Sequence, residues 1–294
     1  MKYTAVVRSM RVPFLMLTPV CVFLGASTVA LNETSITLLL LVLLGALLAQ
    51  ISVNALNEFA DFKSGLDLTT TRTPFSGGSG ALPGNPEMAT AVFFAGVLSL
   101  MATSMIGGYL VWRVGAGIVP IGVTGLLLIV SYTGWINRYP FLCLIAPGVG
   151  FGFLMVVGTQ FVLQGEYALL SLLVAVIPFF LVSNVLLLNQ YPDIQADASV
   201  GRNHFPIAYG VSRSNLAYAL FAVATTAIIV IYVLLDYLPV LSLVALLPMP
   251  LAFFSLYGAI KYRENIGNYP QYLGANVGVA ILVPLLLGVS IMVG

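Results

Sequence analysis

The chain has 294 residues, 60% of them apolar and only 7% charged, with 11 basic and 10 acidic side chains and a formal net charge of +1. A soluble domain carries about 25% charged residues, so these cannot coat a globule of this size, and a near-neutral chain without a basic cluster is not a nucleic-acid binder. Two cysteines, Cys21 and Cys143, each inside an apolar run, exclude a disulfide scaffold and leave an integral membrane protein.

A spanning helix needs about 20 mostly apolar residues. Nine such windows follow one another, at roughly 12–31, 36–56, 88–111, 115–134, 141–163, 168–189, 215–235, 239–260 and 272–293. They are continuous apolar runs and not short alternating segments, so the expected fold is an all-α polytopic bundle of nine transmembrane helices and not a barrel. The first run has a basic start, yet it is longer than a signal h-region and is read as a helix. Nine spans put the termini on opposite sides of the lipid bilayer. Lys2, Arg8, Arg11, Lys63, Arg72, Arg138, Arg202, Arg213, Lys261 and Arg263 then share the N-terminal side, and Arg113 alone faces the other, with Glu33, Glu166 and Asp236. The bias predicts a cytoplasmic N-terminus, and the two long connections, about 57–87 and 190–214, lie on that side.

A parallel internal repeat is expected within one domain, 1–294. The stretch Arg11-Val-Pro-Phe-Leu-Met-Leu matches Arg138-Tyr-Pro-Phe-Leu-Cys-Leu, and Asn57-Glu-Phe-Ala-Asp61 matches Asn189-Gln-Tyr-Pro-Asp193. Both pairs are four spans apart, which makes the halves, about 1–134 and 135–260 followed by a ninth helix, parallel and not inverted.

The chemistry-bearing residues gather in the two long loops. If the second helix continues past the membrane surface, Asn54, Asn57, Glu58 and Asp61 share one face at i, i+3, i+4 and i+7. Asn189, Asp193 and Asp197 repeat this at i, i+4 and i+8. Like charges at such spacing destabilise a helix, and oxygen-ligated divalent cations relieve the repulsion. Mg²⁺ in particular combines one or two carboxylates with substrate phosphates, so two facing clusters would hold a diphosphate. Six of the ten acids (Glu58, Asp61, Asp67, Glu87, Asp193 and Asp197) belong to these loops. Asn54 and Asn189 lie within reach of the hydrocarbon, where an amide marks a functional site.

Basic partners follow each cluster. Arg72 leads into Thr73-Pro-Phe-Ser76-Gly77-Gly78-Ser79-Gly80, whose backbone N–H groups suit phosphate oxygens, and Gly201-Arg202 follows Asp197. Arginine supplies a planar fork for phosphate, whereas Lys63 reads equally as a phosphate ligand or an ion-pair partner of its acidic neighbours. His204, the only histidine, is either a base or simply a polar loop residue. Tyr132, Asn137 and Tyr139 either line a cavity mouth or anchor the interface. Gly148, Gly150, Gly152 and Gly158 suggest close helix packing.

These residues resemble the UbiA superfamily of intramembrane aromatic prenyltransferases. Asn57, Asp61, Asp67 and Arg72 are similar to its first motif, and Asp193, Asp197, Gly201 and Arg202 to its second. The resemblance covers the whole chain and implies nine helices around a central cavity open to the cytoplasm, in a bacterial or archaeal cell membrane. It implies Mg²⁺ held by Asn57, Asp61, Asp67, Asp193 and Asp197. Asn54 joins Asn57, Asp61, Asp193, Arg72 and Arg202 in catalysis, and Lys63, Ser76, Tyr132, Tyr139 and Asn189 join the two arginines in substrate binding. Gly65 followed by Asp67, Gly201-Arg202 and Gly158-Thr159-Gln160-Phe161-Val162 resemble the 1,4-dihydroxy-2-naphthoate branch of menaquinone synthesis. Phe151-Gly152-Phe153 departs from that branch's Gly-Glu pair. The expected reaction is prenyl transfer from an isoprenyl diphosphate to such an aromatic quinone precursor. The alternatives are a hydroxybenzoate-like, tetrapyrrole or glycerol-phosphate lipid acceptor, or a membrane transporter.

Overall fold

A computed structural model describes residues 3–30, 32 and 34–294. Lys2 and Glu33, counted above in the side assignment, lie outside the described residues. The fold is all-α. A short helix α1 (Tyr3–Ser9) precedes α2 (Val12–Ser27), α3 (Ile36–Lys63), α4 (Pro86–Val114), α5 (Ala116–Ser131), α6 (Pro140–Gln164), α7 (Leu169–Asn189), α8 (Phe205–Leu234), α9 (Val240–Asn268) and α10 (Pro270–Val293). Seven of these are long and apolar enough to cross a membrane, and α2 and α5 are shorter apolar helices at the first and fourth expected spans. The chain is thus a polytopic integral membrane protein. Many large apolar side chains remain exposed, such as Leu127 and Trp112, because lipid and not water is the solvent of that surface.

Departures from regular helix have local causes. Pro13 and Pro19 flank the break in α2 at Met16, where a proline has no N–H to donate and crowds the preceding turn. Helix α8 kinks at Gly210, whose φ is 77°. Pro178 sits inside the uninterrupted α7, whereas Pro248 and Pro250 mark the change in α9 from a 3-10 start to an α-helix beginning at Met249. The middle of α6, Val149–Val157, is a π-helix, a form that clusters at functional sites.

Close approach holds the bundle together. Helices α3 and α4 meet through Ser52 Oγ, which donates to the Gly96 carbonyl at 2.9 Å, and Gly96 packs so tightly that an added Cβ would fall 2.8 Å from Leu56. Gly148 and Gly152 of α6 press on the backbone of α7 at Phe179 and Ala175. Between α7, α8 and α10 a buried polar net replaces apolar contact. Asn184 Nδ2 donates to the Tyr218 carbonyl, Asn276 Nδ2 to the Asn184 carbonyl, and Tyr218 Oη to Asn276 Oδ1, all at 2.9–3.0 Å. The shared core draws on α2, α6, α7, α8, α9 and α10. By contrast, the Val119–Ser131 part of α5 has no buried residue, because one of its faces lines a cavity.

Candidate active site

The helix that ends in the first acidic cluster runs unbroken to Lys63, so Asn54, Asn57, Glu58 and Asp61 lie on successive turns. Asn57 Nδ2 donates to Asp61 Oδ2 at 2.8 Å, and its Oδ1 accepts from Thr133 Oγ1 at 3.0 Å. Asn54 Nδ2 donates to the Met10 carbonyl at 2.9 Å. Gly65, with φ of 81°, then turns the chain into a single helical turn, Leu66–Thr69, that buries Asp67. Glu58, 1% exposed, takes a different part. It accepts from Ser79 N at 2.9 Å and from Ser79 Oγ, and from Ala81 N at 3.4 Å, so it anchors its own loop.

That anchoring carries the glycine run across to the second cluster. Gly77 N donates to Asp193 Oδ2 at 2.9 Å. At Gly78 an added Cβ would come within 2.8 Å of Asp67 Oδ1, and both glycines have positive φ, so any side chain here is strained and obstructed. From the other loop Arg202 bridges the motifs. Its Nη2 meets Asp61 Oδ1, and its Nη1 donates to Asp197 Oδ1 at 2.9 Å. His204 Nε2 lies 3.0 Å from Asp197 Oδ2. Asn54, Asn57, Asp61, Asp67, Gly77, Gly78, Asp193, Asp197, Arg202 and His204 all line one cavity of about 430 Å³.

Of the residues singled out in the sequence, Asn54, Asn57, Asp61, Asp67 and Ser76 line this cavity from the first half, as do Tyr132, Asn189, Asp193, Asp197 and Arg202 from further along the chain. Three do not. Lys63 is exposed, with its ammonium 5.7 Å from the Phe59 ring centroid. Arg72 is exposed and lays its guanidinium against Gly80. Tyr139 is exposed and packs on Trp135 at 4.9 Å. Each is displaced by position: Lys63 lies at the end of α3 off the cavity-lining face, Arg72 precedes the turn at Thr73, and Tyr139 lies beyond the turn that points Tyr132 inward. Arg11 is a lining residue that sequence reasoning did not select. It has φ of 52°, a left-handed conformation that costs free energy and marks functional positions. The available signal was its place immediately before a span, at the end where the acids collect.

Several polar atoms in the cavity wall are buried and have no partner: Asp67 Oδ2, Asp193 Oδ1, Asn189 Oδ1 and His204 Nδ1. Burial pushes the Asp193 carboxyl up to about 7, reinforced by the Asp197 charge, and burial followed by the charges of Glu58 and Asp61 pushes Asp67 up to about 7. Among the described residues no three His, Cys, Asp or Glu side chains converge to form a metal cage. The spare oxygens come singly from two loops. Such an all-oxygen donor set fits a hard cation that keeps water or phosphate ligands, as Mg²⁺ does.

The raised carboxyls give a pH prediction with a definite sign. Both acids hold protons more tightly in the fold than in the unfolded chain, so they stabilise the fold at low pH, and that contribution is lost as pH rises from about 4 to about 7. The metal-free protein should melt several degrees lower at pH 8 than at pH 5. Added Mg²⁺ should recover the loss at pH 8 and do little at pH 5, where the ligand oxygens are protonated. Scanning calorimetry at the two pH values with EDTA or Mg²⁺ checks this; equal Mg²⁺ shifts would contradict it.

Comparison with known proteins agrees with this geometry. The model of the UbiA prenyltransferase family matches residues 17–274, so the chain belongs to that family and is a membrane prenyltransferase. No curated protein matches it by sequence. Among solved structures it is similar to a digeranylgeranylglyceryl phosphate synthase, with 13% identity, 99% of each chain covered and a TM-score of 0.67. It is also similar to a UbiA homolog from Archaeoglobus fulgidus bound to GPP and Mg²⁺, at 11% identity over 98% of this chain and 99% of that one, with a TM-score of 0.72. A UbiA homolog from Aeropyrum pernix K1 without ligand matches at 15% identity over 92% and 94% of the two chains, with a TM-score of 0.71.

These likenesses correct the aromatic-acceptor expectation. A structure aligned over 99% of both chains is a synthase of a glycerol phosphate lipid, and the assignment to 1,4-dihydroxy-2-naphthoate and menaquinone synthesis is set aside. The physical reason lies in what carried it. Asp67 and Arg202 stand at the acidic end of the cavity, where a donor diphosphate and not the acceptor ring would bind. At Phe151-Gly152-Phe153, Phe151 lines the cavity and Phe153 packs edge-on against Phe179 at 5.6 Å, so that wall presents no acid to a phenolic hydroxyl.

Proposed function

We propose that this protein transfers an isoprenyl group from its diphosphate to a hydroxyl of a glycerol-phosphate lipid, in a Mg²⁺-dependent reaction. The observation that carries the reading is one cavity with partnerless carboxylate oxygens at its acidic end and an apolar remainder. Asp67 and Asp193, with Asn57, Asn189, Asp61 and Asp197 around them, would hold the cation, which when bound neutralises diphosphate charge. Arg202 and Arg11 would face the diphosphate as negative charge grows on its bridging oxygen, and fixed charges in a dry site are the largest usual source of rate enhancement. Ser76, Gly77 and Gly78 close the same end, held there by the Gly77 N–H bond to Asp193. Tyr132 and Asn54 mark the boundary between this charged region and the apolar walls, which keep water from the allylic carbon. The hydroxyl oxygen then bonds to that carbon as its bond to diphosphate breaks, with loss of the hydroxyl proton.

The acceptor class follows the glycerol-phosphate lipid of the similar synthase. We further read the chain as a single domain of two parallel halves, since each supplies one acidic loop to the cavity. The cavity mouth and the N-terminus are assigned to the cytoplasm, the side that collects ten of the eleven basic residues.

Purified protein in lipid nanodiscs with Mg²⁺ and geranylgeranyl diphosphate should alkylate a glycerol phosphate that bears one isoprenyl ether and a free hydroxyl. It should leave 1,4-dihydroxy-2-naphthoate and 4-hydroxybenzoate unchanged. Mass spectrometry of the extracted lipids reads the outcome, and a prenylated naphthoate would overturn the acceptor assignment.

A further inference from the structure

Away from its charged end the cavity is an apolar shaft. Its lining follows α3 from Asp61 to Val42, positions about 28 Å apart at the helical rise per residue, close to the hydrocarbon thickness of a bilayer. Three walls are notable for glycine: Gly107 on α4, Gly122 and Gly125 on α5, and Gly150 in the π-helical part of α6. An added Cβ at Gly107, Gly122 or Gly150 would meet no atom within 4 Å, and at Gly125 only Leu154 Cδ1 at 3.7 Å. Gly148 and Gly152, on either side of Gly150, are needed to let α6 touch α7. Gly150 has no such packing reason, and its missing side chain widens the shaft instead.

The shaft has a floor. Val42, Leu110, Ile118 and Val162 line its far end, and Leu110, Ile118 and Val162 are buried there in one cluster with Phe161. At its other end stand Asp67 Oδ2 and His204 Nδ1, each on a side chain more than nine-tenths buried and each without a partner. The glycines therefore line a space that already has a polar binding end. From Asn54 to Val42 the apolar part measures about 18 Å along α3. An extended isoprene unit adds four carbon–carbon bonds, about 5 Å of length, so the shaft takes about four units. Gly125 lies about 10 Å inward of Tyr132, which caps that helix, and Gly107 about 5 Å short of Leu110 at the floor.

We infer that these glycines and this floor set the length of the isoprenyl tail: Gly125 and Gly150 keep the shaft open at mid-depth, Gly107 keeps its last portion open, and the floor stops a tail of about four units. The inference rests on the prenyl-transfer reading above. Leucine at these positions is a better helix former than glycine and fills the shaft, so lost binding would come from blockage and not from unfolding.

The test uses the full chain in nanodiscs with Mg²⁺ and a series of all-trans isoprenyl thiodiphosphates of one to six units, which bind but resist cleavage. Wild-type affinity should climb with each unit through four and then stop or fall. Gly125→Leu and Gly150→Leu should lower the ratio of four-unit to one-unit affinity at least tenfold, with unchanged or higher thermal midpoints. Gly107→Leu should weaken only the longest tails that fit, and Leu110→Ala should move the optimum to a longer tail. Unchanged length preference in the leucine variants, or wild-type affinity that climbs through six units, would overturn the ruler. Binding of every length without discrimination would overturn the ruler while leaving the prenyl-transfer reading standing. Failure of wild type to bind any length would overturn both.

Discussion

Replacing Asp193 by asparagine should reduce prenyl transfer at least about a hundredfold, the scale seen when one preorganised electrostatic contact is lost, while the protein remains folded. Asp193 uses one oxygen to receive the Gly77 N–H and keeps the other buried and partnerless. Asparagine retains an oxygen for Gly77, so the first loop stays docked on the second. It loses the negative charge that a divalent cation requires. Alanine at the same position would remove both functions and confuse loop release with lost metal binding, which makes asparagine the informative substitution. Diphosphate release with Mg²⁺ measures the reaction, and Mn²⁺ binding followed by electron paramagnetic resonance measures the cation directly. Turnover and Mn²⁺ affinity both equal to wild type would rule out Asp193 as a cation ligand.

Arg202→Met should have the second largest effect, and it should fall first on stability. The Arg202 guanidinium spans the two motifs, touching Asp61 from α3 and Asp197 from the second loop, with side chains only 17%, 7% and 6% exposed respectively. Methionine keeps the apolar stem and deletes the charge. Two buried carboxylates are then left facing each other without compensation, a loss of about 3 kcal/mol by analogy with other broken buried pairs. In EDTA the variant should melt well below wild type. Mg²⁺ should narrow the gap, because a cation can take over part of the neutralisation. Arg202→Lys should lie between them, since an ammonium keeps the charge but cannot bridge both acids with a fork. Identical melting of Arg202→Met and wild type in EDTA would show that the bridge adds nothing to the fold. Loss of turnover that persists in the variant at saturating Mg²⁺ would separate the arginine's part in catalysis from its part in stability.

The apolar spans and the helical continuation into the first acidic cluster were legible in the sequence, because each follows from local pattern. Hydropathy over about 20 residues reports what a segment can bury in lipid. Spacing of three and four residues reports which side chains share a helix face. The same rules do not say where a face points once the chain leaves the helix. Glu58 belongs to the same helical face as Asp61, yet it folds back on Ser79 and Ala81, a contact over 20 residues away that only the closed loop creates. Arg72 matches its motif position but lies on the outer side of that loop against Gly80. Arg11, outside both motifs, lines the cavity because the break before α2 turns it inward.

The acceptor marks the same boundary. Asp67 and Arg202 mark the acidic end of the cavity, and no local pattern tells which acceptor enters it. That depends on the opposite wall, where Phe151 from α6 stands in the lining. What the sequence alone determined is the lipid-embedded helical class and the two segments that carry most of the acids, since hydrophobicity and charge are properties of each segment. The tertiary structure alone decided which of those polar groups share one cavity, which turn outward, and how deep the apolar shaft runs, since these depend on contacts between helices far apart in the chain.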